Sequence, residues 1–404
     1  MEAFNVAKAK SRFPALNQDQ VFLDNAGGSQ VLGSVIDSIS KYLSHTNVQL
    51  GASYAIGQVS NSRYSEGCKA AARYMNADPD EVVLGASTTQ LLRNISLTMK
   101  FEPGDEIIVS KIDHETNIKP WVDMAERNGM TLKWWVPAST EDMKLGVHSL
   151  TPLLSPRTKF VSCCHVSNIL GIIHDIPSIA KAVHSIPGAM LCVDGVSYAP
   201  HRQIDVKELD VDFYGFSWYK VYGPHIATLY ARRAIQEKLN PLSHFFIPKE
   251  TLEGKIGLAA ANYELTQSIP EIVSYLGGSS PKPVFEAIAA HEGKLQAALL
   301  EYLISRGDIN IYGEKTTDPA IRVPTISFTV RGMDSREVVE QADQKSHFGF
   351  RWGHFYSKRL CSEILGLGDS GVVRISMVHY NTEEEVKLLI ETLDSILPPR
   401  STSK

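Results

Sequence analysis

The sequence predicts an α/β fold with a large domain on a mostly parallel seven-stranded sheet and a smaller C-terminal α+β domain. From about residue 20 to 235, short apolar runs alternate with helical patterns, which is typical of parallel strands joined by crossover helices. The 404 residues, 43% of them hydrophobic, are enough for two cores. We expect residues 1–20 to form an N-terminal arm of the small domain, residues 21–270 the large domain and residues 271–404 the small domain.

Seven apolar segments are the candidate strands of the large sheet. They are 82–84, 106–109, 131–136, 158–164, 189–193, 211–216 and 226–230. Two apolar helical faces lie between the strands, and we expect both to pack in the core. The first face comprises Val35, Ile36, Ile39, Tyr42 and Leu43, and the second comprises Ile179, Ala182 and Val183.

The small domain is predicted to open with a long helix after an irregular connection. Residues 235–280 are rich in Gly, Ser and Pro and indicate an irregular connection. A helical pattern follows over 282–305, with strand patterns at 325–330 and 372–377. A mixed α+β domain is therefore expected at the C-terminal end.

A T-x-x-E pattern marks the start of the last helix. Thr382 and Glu385 can exchange two hydrogen bonds with each other's backbone N–H groups, as in a capping box. The residues that follow repeat with helical spacing: Val386, Leu388, Leu389 and Leu393.

Composition excludes several classes of function. The formal net charge of −5 lacks the basic excess that a nucleic-acid partner requires. The five cysteines form no C-x-x-C pair, which favours reduced thiols and no metal site. The N-terminal segment lacks the apolar core of a signal peptide, and no run of 18 apolar residues occurs. We therefore expect a soluble, cytoplasmic protein with no membrane partner.

The segment VLGASTTQLL, residues 83–92, predicts a helix N-terminus that could hold an anion. A short strand ends at Gly85-Ala86, and the hydroxyl residues Ser87, Thr88 and Thr89 precede an apolar helical pattern. Free backbone N–H groups, the hydroxyls and the helix dipole can together bind a phosphate. The alternative is an ordinary Ser/Thr N-cap, which this segment taken alone favours.

An acidic residue follows the apolar strand in AMLCVDGVSYAP. Asp194 stands at the strand end, directly before Gly195. In open α/β sheets ligands bind outside the carboxyl ends of the strands, so this carboxylate is expected to face the ligand. An aspartate there can keep a pyridine nitrogen protonated. The alternative interpretation of this residue, taken alone, is a strand-terminal Asp that caps the next turn.

A lysine follows the next strand in DVDFYGFSWYKVYGP. Lys220 comes directly after Ser217-Trp218-Tyr219 and before the Gly223-Pro224 turn. Most lysines are solvated, but aromatic neighbours that remove water lower an amine pKa from about 10.4. The neutral amine is then a nucleophile that can form a Schiff base.

The three segments, in this chain order, provide what pyridoxal phosphate requires. The sequence resembles class V of the fold-type I pyridoxal phosphate enzymes, the cysteine desulfurase-like group, over nearly its whole length. The matching stretches are VFLDNAGGSQ (21–30), the Thr88-Thr89 pair, DHETNIKPW (113–121), HVSNILG (165–171), VDGVSYAPH (193–201), DFYGFSWYKVYGP (212–224) and VVRISMVHYNTEEE (372–385).

The resemblance implies a role for each matching residue. Lys220 would be the Schiff-base lysine and acid/base, His114 would stack on the cofactor ring, Asn168 would lie near its phenolic oxygen and Asp194 would pair with its nitrogen. Arg374 would bind the substrate carboxylate. The other cofactor-binding candidates are Ser87, Thr88, Thr89, Ser197, Ser217 and Tyr219, and the other substrate-binding candidates are His354, Tyr356, Arg351 and Asn25. The family also implies a homodimer with its site at the interface.

The sequence departs from the desulfurases at the catalytic thiol. Their loop has a pattern like R-x-G-H-H-C, whereas residues 351–356 read RWGHFY, so Tyr356 stands where the cysteine would be. A phenol cannot accept sulfur as a persulfide, because that step needs a thiolate. Cys361, five residues on, is expected to be a buried helical residue. The segment by which a partner subunit offers Gly-Thr to the phosphate aligns loosely with 259–262, which reads AAAN.

These departures resemble a branch that includes fungal secondary-metabolism enzymes. We therefore expect carbanion chemistry at Cα or Cβ of a small amino acid, by decarboxylative aldol-type addition, lyase or elimination reactions. An aldehyde or keto co-substrate fits the first of these. An aminotransferase, a C–S lyase or desulfurase-like enzyme, and a protein that binds pyridoxal phosphate without turnover are the alternatives.

Overall fold

The computed structural model describes residues 4–399. Its α-helices are α1 (Val6–Lys10), α2 (Gly33–His45), α3 (Ala55–Tyr74), α4 (Thr88–Thr98), α5 (Lys119–Asn128), α6 (Val147–Leu150), α7 (Ile176–His184), α8 (Arg233–Gln236), α9 (Leu252–Ile256), α10 (Tyr263–Thr266), α11 (Ile269–Tyr275), α12 (Pro281–Ile304), α13 (Ser335–Lys345) and α14 (Glu383–Ile396). A π-helical turn spans Arg359–Ile364.

The strands form one large sheet and two smaller ones. They are β1 (Val21–Phe22), β2 (Val82–Gly85), β3 (Glu106–Ser110), β4 (Thr131–Trp135), β5 (Thr158–Cys164), β6 (Met190–Asp194), β7 (Phe213–Ser217), β8 (Ala227–Ala231), β9 (Ile309–Tyr312), β10 (Thr325–Val330), β11 (Phe348–Gly349), β12 (Arg351–Gly353) and β13 (Val372–Ser376). The predicted strands of both domains are confirmed, with ends that differ by one or two residues.

The large sheet has seven strands in the order β2-β8-β7-β6-β5-β3-β4. Strand β8 is antiparallel to both of its neighbours, and the remaining pairs are parallel. Strands β3, β5, β6 and β7 are buried along most of their length because helices cover both faces of the sheet. The predicted fold class, a mostly parallel sheet with a separate smaller domain, is confirmed.

The small domain is built on the antiparallel sheet β12-β13-β10-β9, over which α12, α13 and α14 pack. Strand β1 pairs in parallel with β11, and Leu23 packs in the same core. The N-terminal segment that joins this domain therefore reaches beyond the predicted boundary at residue 20. The capping box of the last helix is confirmed, since Thr382 accepts from the Glu385 backbone and Glu385 accepts from that of Thr382.

Two expectations from the sequence are wrong in detail. Ile36 and Leu43 were expected in the core, but they are 47% and 50% exposed. Helix α2 turns only part of its apolar surface inward, with Val35 and Tyr42 buried. The connection over 235–280 contains the short helices α9, α10 and α11. Gly and Pro there limit the length of each helix without preventing helix formation.

Within residues 4–399, no helix is both long enough and apolar enough to cross a bilayer.

Candidate active site

A cavity of about 500 Å³ lies at the carboxyl ends of the parallel strands β5, β6 and β7. Every residue that the sequence predicts to bind the cofactor lines this cavity. The lining consists of Ser87, Thr88, Thr89, His114, Thr116, Cys164, Val166, Asn168, Asp194, Val196, Ser197, Ser217, Tyr219 and Lys220. The fold thus brings together side chains that are up to 133 positions apart in the chain, from Ser87 to Lys220.

The N-terminus of helix α4 forms one end of the cavity. Ser87 is the N-cap residue, and its hydroxyl accepts from the Gln90 backbone. The first-turn N–H groups have no intrahelical acceptor, and they carry the positive end of the helix dipole. The Thr88 and Ser217 hydroxyls lie 2.7 Å apart and can both turn towards an anion. This end of the cavity suits a phosphate group.

Asp194 is the last residue of β6, and it lines the cavity. Its carboxylate is buried and accepts one hydrogen bond, from the Val196 backbone at 2.9 Å. Burial raises its pKa, while the Val196 N–H and the Lys220 amine oppose that shift. The next residue must be glycine, because a Cβ on Gly195 would lie 2.1 Å from the Tyr214 ring.

Lys220 ends a 3-10 turn that follows strand β7. Its side chain is buried, and burial, followed by the charge of Arg374, lowers its pKa to about 8. Ser29 fixes the backbone on both sides: its N–H donates to the Tyr219 carbonyl at 3.1 Å, and its hydroxyl accepts from the Tyr222 N–H at 2.8 Å. The backbone around the lysine is therefore fixed, and with this pKa a larger fraction of the amine is neutral near neutral pH than for a free lysine.

His114 projects into the cavity as a neutral ring. Burial, with the charges of Lys220 and Arg374, lowers its pKa to about 3. Its Nδ1 accepts from the Thr116 backbone at 3.1 Å, which leaves the proton on Nε2. The Tyr356 ring lies beside it, with centroids 5.1 Å apart and planes tilted by 30°.

A turn from the small domain closes against the cavity through Asn168. Its amide Nδ2 donates to the Phe355 carbonyl at 3.0 Å, and its Oδ1 accepts from the Ser357 hydroxyl at 2.9 Å. Phe355 and Tyr356 have φ values of 47° and 60°, in a region that non-glycine residues seldom adopt. The two Asn168 bonds, with that from the Glu115 N–H to the Tyr356 carbonyl at 2.9 Å, hold this strained turn.

Arg374 lies beside the cavity, buried on strand β13. Its Nη2 donates to the Asp24 carboxylate at 2.8 Å and its Nη1 to the Asn168 carbonyl at 3.2 Å. The Phe355 ring covers the guanidinium, with its centroid 3.7 Å from Cζ. Arg351, the cross-strand neighbour of Arg374, pairs with the other Asp24 oxygen. Neither predicted arginine lines the cavity, and a carboxylate of the protein pairs with both of them.

The three other residues predicted to bind substrate, Tyr356, His354 and Asn25, differ in their exposure and in their hydrogen bonds. Tyr356 does not line the cavity; its ring lies beside that of His114, and it is 71% exposed. His354 has a buried Nδ1 that finds no hydrogen-bond partner among residues 4–399. Asn25 does not line the cavity: its amide donates to the carbonyls of Phe22 and Ser376 and accepts from the Tyr380 hydroxyl. Its side chain holds the small-domain segment and is not free to bind substrate.

Sequence reasoning missed several residues of the site. Thr116, Val166 and Val196 line the cavity within stretches that carried the resemblance, and Cys164 lines it one residue before such a stretch. Asp24 lies next to Asn25 in the matching stretch 21–30. The one indication in the sequence was that Asp24 is a carboxylate next to a predicted site residue. Asp24 lies close to Arg374 because strand β1 pairs with a strand of the small domain.

Comparisons with known proteins give this geometry a family context. A profile of the aminotransferase class-V family matches residues 21–389. The chain is 54% identical to the aminotransferase-like protein FGM3 of Gibberella zeae, covering 98% of this chain and 99% of that protein. It is 39% identical to the cysteine desulfurase-like protein ustD of Aspergillus flavus, covering 97% and 91% respectively.

The fold also matches solved structures. The crystal structure of the cysteine desulfurase CsdA from Escherichia coli superimposes with a TM-score of 0.84, at 24% identity, covering 98% of this chain and 99% of that one. At this identity the likeness shows the fold. Class V aminotransferases and cysteine desulfurases use pyridoxal phosphate.

Proposed function

The chain belongs to the aminotransferase class-V family, and on that premise we propose that it breaks or forms a bond at Cα or Cβ of a small amino acid. One observation carries the proposal: the buried Lys220 amine lines the same cavity as the buried Asp194 carboxylate and the N-terminus of α4. An amine, an acid and an anion site are the groups that pyridoxal phosphate requires.

The residues present fit that cofactor. Ser87, Thr88 and Ser217 would hold its phosphate by hydroxyls and by the first-turn N–H groups of α4. Asp194 would keep a proton on the pyridine nitrogen, because a buried carboxylate is most stable beside a positive charge. The single backbone hydrogen bond to Asp194 leaves the carboxylate further capacity to accept such a proton.

Pyridoxal phosphate, when bound, supplies an electron sink for negative charge that develops on the substrate carbon. Lys220 would attach it and then move a proton at the substrate carbon, for which a pKa of about 8 suits an acid and base near neutral pH. His114, held neutral and fixed by Thr116, would lie against the ring and keep it in place. Arg374 would orient the substrate through its carboxylate.

The thiols argue against chemistry that needs a protein persulfide. Cys164 lines the cavity, but burial and the charge of Asp113 raise its pKa well above the usual value. Burial raises the pKa of Cys361 to about 11. Tyr356 occupies the loop position at which the desulfurases place their cysteine. A thiolate to accept sulfur is therefore not available at the cavity, and the lysine is better suited to proton transfer at carbon.

The proposal is tested by isotope exchange. The purified protein with bound pyridoxal phosphate is incubated in heavy water with each common amino acid, with and without an aldehyde. The products are then identified by mass spectrometry. We expect deuterium at Cα of at least one small amino acid and loss of the activity by at least about a thousandfold in Lys220→Ala, since the lysine carries the proton.

The control is Lys133→Ala, which removes a partly buried lysine that pairs with Glu106 outside the cavity. It should retain exchange. Activity that persists in Lys220→Ala, or neither exchange nor a new product with any amino acid, would refute the proposal. A carbon dioxide loss coupled to a new carbon–carbon bond would identify decarboxylative aldol-type chemistry, and a keto acid product would identify an aminotransferase. Sulfide release from cysteine at comparable rates would favour a C–S lyase.

We also propose that the chain acts as a homodimer. Five apolar side chains on α2 and at the start of α3 are more than 40% exposed: Ile36, Leu43, Tyr54, Ile56 and Val59. The two helices pack together through Tyr42 and Ser60, whose hydroxyls lie 2.7 Å apart. A second copy is the partner that the family resemblance suggests, and its contact would remove this apolar surface from water.

A further inference from the structure

Asp24 pairs with the guanidinium of Arg374, the group that binds the substrate carboxylate in the proposed function. Its Oδ1 lies 2.8 Å from Arg374 Nη2, while the other oxygen pairs with Arg351. Arg351 and Arg374 face each other directly across the antiparallel strands β12 and β13. Like charges in that position repel, so the carboxylate between them has a clear electrostatic role.

The backbone holds Asp24 in this position. Asp24 forms a parallel bridge with Ser376, two residues after Arg374 on the same strand. A Cβ on Gly27 would lie 2.5 Å from Arg351 Nη2 and 2.7 Å from Asp24 Oδ2. The absence of a side chain at Gly27 therefore lets this charged group pack closely against the chain.

Arg374 is only partly satisfied by Asp24. Its Nε is buried and finds no hydrogen-bond partner among residues 4–399, and Asp24 engages a single nitrogen. A carboxylate that met two donors of the guanidinium would bind more strongly than this single contact. Asp24, one quarter exposed on its side chain and also paired with Arg351, can move aside without losing its charge partner.

We propose that Asp24 is the resting counter-ion of Arg374, that the substrate carboxylate displaces it, and that its competition sets the affinity and selectivity of the site for carboxylates. This rests on the proposed function, in which Arg374 binds that carboxylate. In the empty site Asp24 prevents an unpaired buried guanidinium. Neutral analogues of the substrate, such as amides, cannot displace it and are rejected.

The test uses the protein with bound pyridoxal phosphate and acetate, a carboxylate without an amine, as the probe. Acetamide is the neutral control, and chloride keeps the ionic strength constant. Calorimetry gives the acetate affinity, and thermal unfolding gives the rise in Tm. In Asp24→Asn we expect acetate to bind about tenfold more tightly, the equivalent of one charge-assisted hydrogen bond. The Tm should fall in chloride and recover with acetate but not with acetamide.

The matched control is Asp308→Asn. Asp308 pairs with a buried arginine, Arg306, at 2.7 Å, and the two side chains have nearly the same exposure as Asp24 and Arg374, but they lie away from the cavity. This variant should lose stability without any acetate response. An equal response in Asp308→Asn would mark the effect as non-specific and overturn the inference.

The remaining outcomes separate the inference from the proposed function. Unchanged acetate affinity in Asp24→Asn, together with lost binding in Arg374→Gln, would overturn the counter-ion role and leave the proposed function intact. Unchanged binding in Arg374→Gln would remove that arginine from substrate binding. If Asp24→Asn does not fold in chloride, recovery of folded protein in acetate but not in acetamide supports the inference, and failure in both refutes it.

Discussion

At the scale of single residues, the site combines buried ionisable groups, and each needs an opposite charge nearby to stabilise its charged form. A buried amine and a buried carboxylate, Lys220 and Asp194, line the cavity, and the buried guanidinium of Arg374 contacts the lining residue Asn168. Each charged form is disfavoured by burial, and each is partly restored by an opposite charge. Perturbed groups that converge on a cleft are typical of catalytic sites.

The first prediction concerns the pKa of Lys220 in protein stripped of cofactor. Burial and Arg374 lower this pKa to about 8, and Asp24 opposes the shift. Arg374→Gln should therefore raise the midpoint of Lys220 acylation, because a nearby positive charge is lost. Asp24→Asn should lower it for the opposite reason. The measurement is the pH dependence of acylation of Lys220, followed by mass spectrometry of its peptide.

Surface lysines in the same digest are the internal control, and their acylation midpoints should not move. A Lys220 midpoint that stays near the value of a free amine, about 10.4, would contradict the buried environment. Equal midpoints in the two variants would show that neither charge acts on the amine.

The sequence predicts a site residue when the pattern that marks it is local in the chain, and it misses a residue whose partners are distant in the chain. The cofactor-binding residues follow strand ends or begin a helix, so local pattern and chain order were enough to select them. Asp24 was missed because its partner is 350 positions away. Asn25 was predicted to bind substrate, yet it is held by Ser376 and Tyr380, which no local pattern indicates. Contacts between domains are the part that the sequence pattern leaves open.

At the scale of elements, helix starts are predictable because side chain and backbone satisfy one another locally. The second prediction uses α14, whose capping box joins Thr382 and Glu385 with both bonds at 3.0 Å. Thr382→Ala should lower the free energy of unfolding by about 1 kcal/mol, since it leaves a first-turn N–H without its acceptor. Urea denaturation followed by circular dichroism measures the change.

Thr392→Ala is the control within the same helix. Thr392 is half-buried, and among residues 4–399 its hydroxyl bonds to the Leu388 carbonyl one turn earlier. Alanine has the higher helix propensity, so this variant should be neutral or slightly stabilising. A loss as large as that of Thr382→Ala would show that the capping box is not the cause.

The helix periodicity of α2 predicted too wide a core face. Val35 and Tyr42 pack inward, whereas Ile36 and Leu43 remain at the surface. Periodicity identifies an apolar face, but it does not distinguish the core of one chain from a surface that a second chain covers. The short helices between 252 and 275 were missed because Gly and Pro interrupt any longer pattern.

At the scale of the whole molecule, the two domains share the site. The large domain provides Lys220, Asp194 and His114, and the small domain provides Arg374 and Arg351 together with the turn that packs on Asn168. A relative movement of the domains would change the distance between the amine and the guanidinium. Under the proposed function, the substrate would lie between Lys220, which would transfer the proton, and Arg374, which would bind the substrate carboxylate.

The last prediction concerns assembly. If a second copy covers α2 and the start of α3, Leu43→Asp should convert a dimer to a monomer, because a charge would be buried at the contact. Sedimentation equilibrium across a range of protein concentrations measures the mass directly.

Leu388→Asp is the control: Leu388 is 45% exposed on α14, similar to the 50% of Leu43, but it lies on the small domain. It should leave the mass unchanged. A wild-type monomer with bound cofactor would contradict the dimer, and dissociation by Leu388→Asp alone would place the contact on the small domain. Retained isotope exchange in a monomeric Leu43→Asp would show that one chain contains a complete site.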